Sequence, residues 1–355
     1  MPESLTQFEG RKRDHIALAL KNETEAAGLA GFSRLALVHE ALPDLNFSEI
    51  QLNVKSLGHD VATPFIVSSM TAGHVASVDL NARLAKACAA RGWWMGVGSQ
   101  RRELNDHEAR GEWQKVRAAA QNVNLMGNIG IAQLIVSELD QVRALVDALE
   151  ARAMIVHLNA LQECFQPEGT PDFKGGLQKI SALVKALGET PVIVKETGCG
   201  LSQSTLIRLT EAGVAAIDVS GLGGTHWGRI EGQRAEGVDE VRSRAAETFA
   251  DWGVSTVDAL LAAQEAQVAS EIWGSGGVRT GLDAAKALAL GARRVGFAKP
   301  ILQAALDSDE ALVLRMETIE FELKTALFCT GCKSIDDLRS RKVWQWQKAQ
   351  THVEK

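Results

Sequence analysis

Four side chains that could do chemistry are grouped in the segment His157-Leu-Asn-Ala-Leu-Gln-Glu163. On an extended strand His157 and Asn159 would share one face, because side chains alternate between the two faces of a strand. Gln162 and Glu163 follow in the loop beyond. A carboxylate such as Glu163 suits Mg²⁺, which usually keeps several waters and shares substrate phosphates. A lone loop glutamate is more often exposed to solvent, so the metal prediction depends on where the fold places this segment.

Lys195 ends the apolar run Val192-Ile-Val-Lys195. A fixed cation at this point could stabilise negative charge that develops on a bound ring; the competing interpretation is an ion pair with Glu196. Small hydroxyl and amide side chains follow the other apolar runs, at Ser68, Thr71, Ser99, Asn128, Ser220 and Thr225. A rim of hydroxyls with one amide and one lysine suits a polar aromatic ring that carries a phosphate, such as flavin mononucleotide (FMN).

Short apolar runs must position these side chains, and eight of them recur along the chain. Their brevity and β-branched content are typical of parallel strands buried on both faces. Segments with helical periodicity, among them 139–149, 177–187 and 282–291, lie between the runs. Eight strand-helix repeats predict an α/β fold, a TIM (β/α)8 barrel, with a doubly wound sheet as the alternative. The eight runs are Phe65–Met70, Met95–Gly98, Val123–Met126, Met154–His157, Val192–Lys195, Ala216–Val219, Ile272–Gly274 and Arg294–Phe297.

Glycine-containing segments, Gly276-Gly-Val-Arg279 and Gly296-Phe-Ala-Lys299, lie at the C-terminal ends of the last two runs. In barrels of this type the loops after strands seven and eight commonly bind phosphate through backbone N–H groups at a helix N-terminus. The alternative is that these glycines only form tight turns. No G-x-G-x-x-G fingerprint is complete, since the third position falls on Arg101, His226 or Arg279, and no G-x-x-x-x-G-K-[ST] motif occurs. A phosphate site without these motifs suggests a mononucleotide or a phosphosugar.

Composition excludes several classes of protein. The 355 residues include 38 Lys and Arg against 44 Asp and Glu, a net charge of −6, and 46% are hydrophobic. These values are those of a globular protein and argue against a disordered chain or a general nucleic-acid binder. The sequence has no apolar run long enough for a membrane span and no apolar core of a signal peptide near its start. We therefore expect a cytoplasmic protein.

The five cysteines are odd in number and scattered, which suits a reducing compartment. Cys329 and Cys332 form a single CxxC pair, which we interpret as helix-end residues, with a redox site or half of a zinc site as the minor alternative. Neither H-E-x-x-H nor a Cys/His quartet is present, which argues against zinc chemistry.

Three parts lie outside the regular repeats. Residues 1–60 are expected to add a helix and a small hairpin that pack on the barrel of residues 61–307. Residues 222–256 form a long insertion between strands six and seven, rich in charge and glycine, and are a candidate lid. Residues 308–355 are expected to form a helical tail, with one long helix from Glu310 to Thr330.

Taken in order, the motifs resemble the type 2 isopentenyl-diphosphate isomerases, a family of flavin-dependent barrel enzymes. The resemblance runs from Arg11 to about Ala326. In one place the sequence departs from it: the family usually reads Met-Thr-Gly-Gly, whereas here Met70-Thr71 is followed by Ala72-Gly-His74, and the added methyl group could shift the flavin edge. The motifs that carry the resemblance are Arg-Lys-x-Asp-His at 11–15, Ser-Met-Thr at 69–71, Gly-Ser-Gln-Arg at 98–101, Asn-Ile-Gly at 128–130, His-Leu-Asn-x-x-Gln-Glu at 157–163, Val-Lys-Glu at 194–196, Gly-Gly-Thr at 223–225 and Ser-Gly-Gly-Val-Arg at 275–279.

The resemblance implies three sets of site residues. Gln162, His157 and Lys195 would be catalytic, and Glu163 would hold Mg²⁺ on the substrate. The substrate diphosphate and hydrocarbon would be bound by Arg11, Lys12, Ser99, Gln100, Arg101, His157, Asn159 and Gln162. FMN contacts would fall on Ser69, Met70, Thr71, Ser99, Asn128, Lys195, Ser220, Thr225, Gly276, Gly277, Val278, Arg279, Ala298 and Lys299. Cationic side chains would thus gather at one end of an acidic protein, so its net charge does not argue against an anionic substrate.

The resemblance also implies the chemistry. The family interconverts isopentenyl and dimethylallyl diphosphate by a 1,3-proton shift, in which reduced FMN gives and takes the proton and NADPH is needed only to prime the flavin. Lys195 would stabilise the anionic reduced ring, and a homo-oligomer, a tetramer or octamer, would be expected. The main rival is an FMN-dependent oxidase or dehydrogenase of 2-hydroxy acids, for which His226 is the nearest candidate base. A non-catalytic flavin-binding or ligand-binding barrel is the third interpretation.

Overall fold

The computed structural model describes residues 10, 14–71, 78–104, 106 and 109–347. Eight parallel strands close into a barrel in which each strand pairs with its neighbours in chain order and the last pairs with the first. The barrel strands are β4 (Phe65–Val67), β5 (Trp94–Gly96), β6 (Asn124–Gly130), β7 (Ala153–Leu158), β8 (Val192–Glu196), β9 (Ala216–Asp218), β10 (Glu271–Gly274) and β11 (Arg294–Phe297). The predicted TIM barrel is therefore confirmed, and the doubly wound sheet is excluded.

Helices surround the barrel. Several begin at side-chain caps that the sequence supplies: Ser202, Ser255, Thr280 and Ser334 each accept a hydrogen bond from a backbone N–H of the first turn. The helices are α1 (14–19), α2 (Val78–Arg91), α3 (Arg110–Ala119), α4 (Ile131–Val136), α5 (Leu139–Leu149), α6 (Ala160–Phe165), α7 (Gly176–Leu187), α8 (Gln203–Glu211), α9 (Trp227–Ala235), α10 (Glu240–Thr248), α11 (Thr256–Glu265), α12 (Gly281–Ala289), α13 (Lys299–Asp307), α14 (Asp309–Cys329) and α15 (Ile335–Ser340).

The barrel strands are short because both of their faces are covered. Every residue of β4, β5, β8, β9 and β11 is buried, as expected for parallel strands between a filled barrel and a helical layer. Most strand boundaries differ from the prediction by one to three residues, and the largest difference is at the end of β6. The run predicted to end at Met126 continues as a strand to Gly130, because Gly127 to Gly130 pair with Met154 to His157 of β7.

The segments outside the barrel contain more secondary structure than the sequence predicts. The predicted hairpin is formed by β2 (Val54–Ser56) and β3 (His59–Val61). The unpredicted strand β1 (Leu35–Leu37) pairs with β12 (Trp344–Trp346) near the other end of the chain. The long helix of the tail is α14, and Cys329 is its last residue; Cys332, just beyond it, is buried and both thiols are free. The insertion at 222–256 contains α9 and α10.

Within the described part of the chain, no helix is both long enough and apolar enough to span a bilayer.

Glu271, at the N-terminal end of β10, attaches the β2–β3 hairpin to the barrel. Its Oε1 accepts from the N–H of Leu57 at 2.7 Å, and its Oε2 accepts from the Ser56 hydroxyl at 2.7 Å and the Trp273 indole at 3.2 Å. This end of the barrel lies opposite the strand C-termini.

We expect Glu271→Ala to lower the free energy of unfolding by about 2–3 kcal/mol, because it leaves buried donors without an acceptor. Chemical denaturation measures this loss. The control is Glu265→Ala at the exposed end of α11, which should change stability by less than about 0.5 kcal/mol. Equal stability of the two variants would show that Glu271 does not anchor the hairpin.

Candidate active site

The strand register places chemically active residues of neighbouring strands side by side at the C-terminal end of the barrel. Gly130 pairs with His157, His157 pairs with Lys195, and Lys195 pairs with Asp218. Residues in register on neighbouring parallel strands project to the same side of the sheet. His157 and Lys195 both line a cavity at the barrel mouth. Strand pairing thus brings together the candidate site residues that were predicted on separate strands.

Lys195 is buried, and its ammonium group is held by three oxygen atoms. Nζ donates to the Glu196 carbonyl at 2.9 Å and to the Ser220 hydroxyl at 3.0 Å, and it lies 3.7 Å from Asp218 Oδ2. The Glu196 carboxylate instead accepts from backbone N–H groups of the following loop, those of Thr197 and Gly198 both at 2.6 Å. The ionic partner of Lys195 is therefore Asp218 and not the side chain of Glu196.

Asp218 is fixed in turn by its neighbours. The Ser275 hydroxyl lies 2.8 and 2.9 Å from its two carboxylate oxygens, and the N–H of Ser220 donates to Oδ1 at 3.2 Å. Ser220 adopts φ +36°, a left-handed conformation that costs a non-glycine residue free energy. In this conformation the Ser220 hydroxyl lies within hydrogen-bond distance of Lys195 Nζ. The cavity therefore carries a buried cation whose counter-ion lies beside it on the next strand.

His157 and Asn128 are joined by a hydrogen bond of 2.9 Å between Nδ1 and Oδ1. Because Asn128 Nδ2 donates to the Val97 carbonyl at 3.1 Å, its Oδ1 is the acceptor and His157 Nδ1 carries the proton. Asn159 Nδ2 donates to Glu163 Oε1 at 2.9 Å and to Gln162 Oε1 at 3.2 Å. Asn159, Gln162 and Glu163 therefore orient one another. Gln162 and Glu163 lie in α6 and not in the loop predicted for them.

A second hydrogen-bonded chain begins at Gln162 and was not predicted. Gln162 Nε2 donates to Glu231 Oε1 at 2.9 Å, and His15 Nε2 lies 2.9 Å from the same oxygen. Arg234 binds the other oxygen of Glu231 at 2.6 Å. Burial by itself would raise the pKa of Glu231, but the hydrogen bond and charge of His15 and the charge of Arg234 outweigh it and lower the pKa to about 2. Glu231 is thus an ionised carboxylate at neutral pH.

The glycine-containing loop after β10 is packed too tightly for a side chain. Gly276 has φ +96°, and a Cβ there would lie 2.1 Å from the Gly221 carbonyl oxygen; Gly277 has φ +69°, and a Cβ would lie 2.5 Å from the Gly223 carbonyl oxygen. Within the described ranges, no acceptor takes a hydrogen bond from the N–H groups of residues 276–278. The loop therefore offers backbone donors to an anion at the cavity, as the sequence predicts.

The predicted site residues converge on this one cavity. Its wall includes all fourteen residues expected to contact FMN and, of the substrate and metal set, Ser99, Arg101, His157, Asn159, Gln162 and Glu163. Gln100 lies behind the wall, where it is buried and its Oε1 accepts from the N–H of Asn128 at 3.0 Å. Arg11 and Lys12 lie outside the described residues, as do Ala72, Gly73 and His74.

His226, the candidate base of the rival interpretation, does not face the cavity. Its side chain is fully buried, with Nδ1 accepting from the N–H of Arg229 at 3.2 Å and Nε2 lying 3.3 Å from the Trp252 carbonyl. Since Nδ1 accepts, Nε2 carries the proton. Burial lowers the pKa of His226, which favours this neutral form. His226 caps α9 and is not placed to take a proton from a ligand in the cavity.

Several lining residues were not among the predicted site residues. His15, Ile16 and Ala19 reach the cavity from α1, and Trp227 reaches it from α9. His15 belongs to the motif at 11–15, and its ring packs edge-on against Trp227 with centroids 5.1 Å apart. The motif could mark His15 as functional, but only the fold shows that 14–19 and 227–235 form one wall.

The sequence of this chain matches the family of FMN-dependent dehydrogenases over residues 10–121 and 114–345. The isopentenyl-diphosphate delta-isomerase of Legionella pneumophila (strain Corby) is 54% identical over 341 residues, which cover 96% of this chain and 99% of that relative. The enzyme of the same name from Bdellovibrio bacteriovorus is 52% identical over 97% of this chain and 100% of its own length. That from Halobacterium salinarum is 42% identical over 98% of this chain and 97% of its own length. The chain belongs to the type 2 isopentenyl-diphosphate delta-isomerase family.

Solved structures agree with the fold. A mandelate oxidase variant with a monooxide FMN adduct superposes with a TM-score of 0.63 at 17% identity and covers 94% of this chain and 95% of its own. A structure described as a lactate oxidase of Pediococcus acidilactici gives 0.66 at 19% identity, with 97% and 94% covered. At these identities the likeness shows the barrel architecture and nothing about substrate.

The cavity of this family member fits an FMN group on its own chemistry. Ser69 lines it, and its hydroxyl oxygen is buried without a partner among the described residues; the same holds for Asn159 Oδ1. A buried polar atom without a partner is costly, so both atoms need a ligand or water. No group of three or more metal-binding side chains occurs in the described ranges. A metal ion at Glu163 would therefore take its other ligands from water and a bound phosphate, which suits Mg²⁺.

We expect Gly276→Ala to weaken FMN binding roughly 30-fold, because the clash with Gly221 moves the loop and costs at least one charge-assisted hydrogen bond, about 2 kcal/mol. Fluorescence titration of the apoprotein with FMN measures the effect. Gly175→Ala is the matched control, since Gly175 has φ +84° but open space where a Cβ would lie. It carries the same backbone strain and should bind FMN as the unmodified protein does. Equal FMN affinity in the two variants would mean that this loop does not hold the cofactor.

Proposed function

We propose that this protein interconverts isopentenyl diphosphate and dimethylallyl diphosphate by a 1,3-proton shift. The observation that carries the proposal is the identity of 54% over 96% of the chain with a relative named for this activity. The site is consistent with it, because a buried cation, an anion-binding loop and an ionised glutamate bonded to Gln162 surround one cavity.

FMN is held, in this proposal, by the fourteen lining residues, with its phosphate on the backbone of residues 276–278. Arg279 and Lys299 contact it through their backbone, since their cationic groups are bound to Glu25. The reduced cofactor supplies the acid and base for a carbon acid that no carbonyl group activates. Lys195 stabilises the negative charge of the reduced ring. NADPH or another reductant would be needed only to bring bound FMN to its reduced form.

The substrate has a charged end and an apolar end, and the cavity offers surfaces for both. Arg101 lines the cavity, and Arg11 and Lys12 are proposed to join it at the diphosphate, with Mg²⁺ on Glu163. His157 and Asn159 hold the same end of the molecule. The hydrocarbon lies toward Gln162 and the apolar wall formed by Ile16, Ala19, Met70, Trp227 and Leu302.

Gln162 is positioned more firmly than an ordinary surface glutamine. Its amide group donates to Glu231 and accepts from Asn159, so its orientation beside the hydrocarbon is fixed from both sides. Glu231, ionised above a pH of about 2, strengthens the bond from Gln162 and polarises His15. We assign Gln162 the role of orienting the reacting carbons and Glu231 that of positioning Gln162.

Three further properties belong to the same proposal. The segment 222–256, with α9 and α10, closes over the diphosphate as a lid, and slower proteolysis of it in the presence of FMN, Mg²⁺ and substrate is the measurement that checks this. The protein acts in the cytoplasm. It forms a homo-oligomer, a tetramer or octamer, which light scattering of the purified protein tests.

The hydroxy acid oxidase interpretation is not favoured. Its candidate base, His226, is buried as a helix cap and does not line the cavity. It also leaves Glu163 and the chain from Gln162 to His15 without a role.

The deciding experiment incubates the photoreduced, FMN-loaded protein with Mg²⁺ and isopentenyl diphosphate under nitrogen. We expect dimethylallyl diphosphate in the product without stoichiometric use of NADPH. Oxidation of a 2-hydroxy acid such as lactate, with no isomerisation, would instead establish the rival activity.

We expect Glu163→Gln to raise the Mg²⁺ concentration for half-maximal activity by roughly tenfold or more, since metal-site changes of this kind typically cost about 10–100-fold in affinity. FMN binding should stay within about twofold of that of the unmodified protein. The control is Glu189→Gln, at an exposed position. Unchanged Mg²⁺ dependence in Glu163→Gln would remove the metal assignment while leaving the isomerase proposal intact.

A further inference from the structure

Lys299, the first residue of α13, ends the segment predicted to hold the cofactor phosphate, yet its ammonium group points to the N-terminal segment. Nζ lies 2.9 Å from Glu25 Oε1, 2.9 Å from the Lys21 carbonyl and 3.5 Å from Asn22 Oδ1. The side chain is only 5% exposed. An ammonium group has three N–H donors, so the three acceptors of residues 21–25 account for all of them.

Arg279, at the end of the other phosphate loop, turns to the same carboxylate. Its Nη2 donates to Glu25 Oε1 at 3.0 Å, and its Nη1 donates to the Val278 carbonyl at 3.3 Å. Glu25 is largely buried, with its side chain 13% exposed. One carboxylate oxygen thus joins the loops after β10 and β11 to the chain before β1.

The backbone of this segment is fixed as well. The N–H of Ala26 donates to the Gly224 carbonyl at 2.9 Å, and the N–H of His226 donates to the Thr24 carbonyl at 2.8 Å. The Thr24 hydroxyl, fully buried, donates to the Leu18 carbonyl at 2.7 Å and so ties the segment to α1. Because α1 presents His15, Ile16 and Ala19 to the cavity, the position of this wall depends on the position of residues 21–26.

We propose that Glu25, Lys299 and Arg279 form a latch through which the cofactor loops position the N-terminal wall of the substrate site. Lys299 is then a positioning residue for substrate, and its ammonium group is not a ligand of the cofactor phosphate. The phosphate is bound by backbone N–H groups alone on this side of the cavity. The link to substrate rests on the function proposed above; the latch itself does not.

Trypsin cleavage after Lys21 reports on the latch directly, because the Lys21 carbonyl that accepts from Lys299 belongs to the bond that trypsin cuts. In the FMN-loaded protein we expect Lys299→Met and Glu25→Gln each to speed this cleavage by roughly tenfold or more, since each removes a buried ionic contact. The double variant should be cleaved little faster than either single variant, since both changes break the same pair.

FMN affinity separates the latch from a phosphate-binding role. We expect Lys299→Met to change the Kd for FMN by less than about threefold, whereas loss of a charged phosphate ligand would change it roughly 30-fold or more. Lys286→Met is the matched control, because Lys286 Nζ likewise donates to a backbone carbonyl, that of Phe32 at 2.9 Å, away from the cavity. It should alter neither measurement.

A large loss of FMN affinity in Lys299→Met, with unchanged cleavage after Lys21, would overturn the proposal in favour of a phosphate ligand. Tighter FMN binding in Glu25→Gln with unchanged cleavage after Lys21 would also overturn the proposal. It would mean that the Glu25 carboxylate competes with the cofactor phosphate for the cationic groups of Lys299 and Arg279. Neither measurement uses isomerase activity, so failure of the latch and failure of the proposed function remain distinguishable. If the activity is as proposed, Lys299→Met should raise KM for isopentenyl diphosphate roughly tenfold with kcat nearly unchanged, and Lys299→Arg should restore KM in part.

Discussion

The site depends on keeping a lysine ammonium group charged in a place that is almost closed to water. Burying a charge is costly unless it is paired and hydrogen-bonded. Asp218 supplies the opposite charge to Lys195 from the adjacent strand, and Ser220 and the Glu196 carbonyl supply hydrogen bonds. Ser275 holds Asp218, and the left-handed backbone of Ser220 holds its hydroxyl in place. Groups at the C-terminal ends of three neighbouring strands, β8, β9 and β10, therefore act together to stabilise this one positive charge.

Barrel closure makes this arrangement possible, and the N-terminal segment completes it. The paired register places His157, Lys195 and Asp218 side by side, but it leaves one side of the cavity open. Residues 14–26 form that side, attached by His15 to Glu231 and by Glu25 to Arg279 and Lys299. The cation and the glycine loop are thus built into the barrel, whereas the N-terminal wall is docked onto it through His15 and through the ion pairs of Glu25.

Repetition explains why the barrel could be predicted from the sequence. Each strand is a short apolar run followed by polar residues, and eight such runs specify a closed sheet with its polar ends together. For the same reason the sequence alone could assign Asn128, His157 and Lys195 to one cavity. The end of β6 was predicted four residues early because Gly127 and Asn128 are poor indicators of a strand, and their pairing with β7 outweighs that preference.

Contacts between distant segments could not be predicted in the same way. No periodicity in the sequence relates His15 to Glu231, Glu25 to Lys299, or β1 to β12. Each of these contacts forms because segments far apart in the sequence pack together in the folded protein. Lys195 illustrates a milder case. Sequence proximity suggested Glu196 as its partner, but successive residues on a strand face opposite sides, so the level residue on the neighbouring strand, Asp218, is the partner. Strand pairing therefore identifies the ionic partner of Lys195, which the sequence alone left open.

If the Lys195 ammonium group lies beside the ring of bound FMN, as proposed, it should favour the ionised form of the reduced flavin. The pKa of that ionisation can be measured from the absorbance of the anaerobic, photoreduced protein as pH is varied. Since a nearby cation favours the anion, we predict a pKa roughly one unit or more higher in Lys195→Met than in the unmodified protein, with Lys195→Arg close to the unmodified value. The same pKa in Lys195→Met and in the unmodified protein would show that Lys195 does not stabilise the ionised ring.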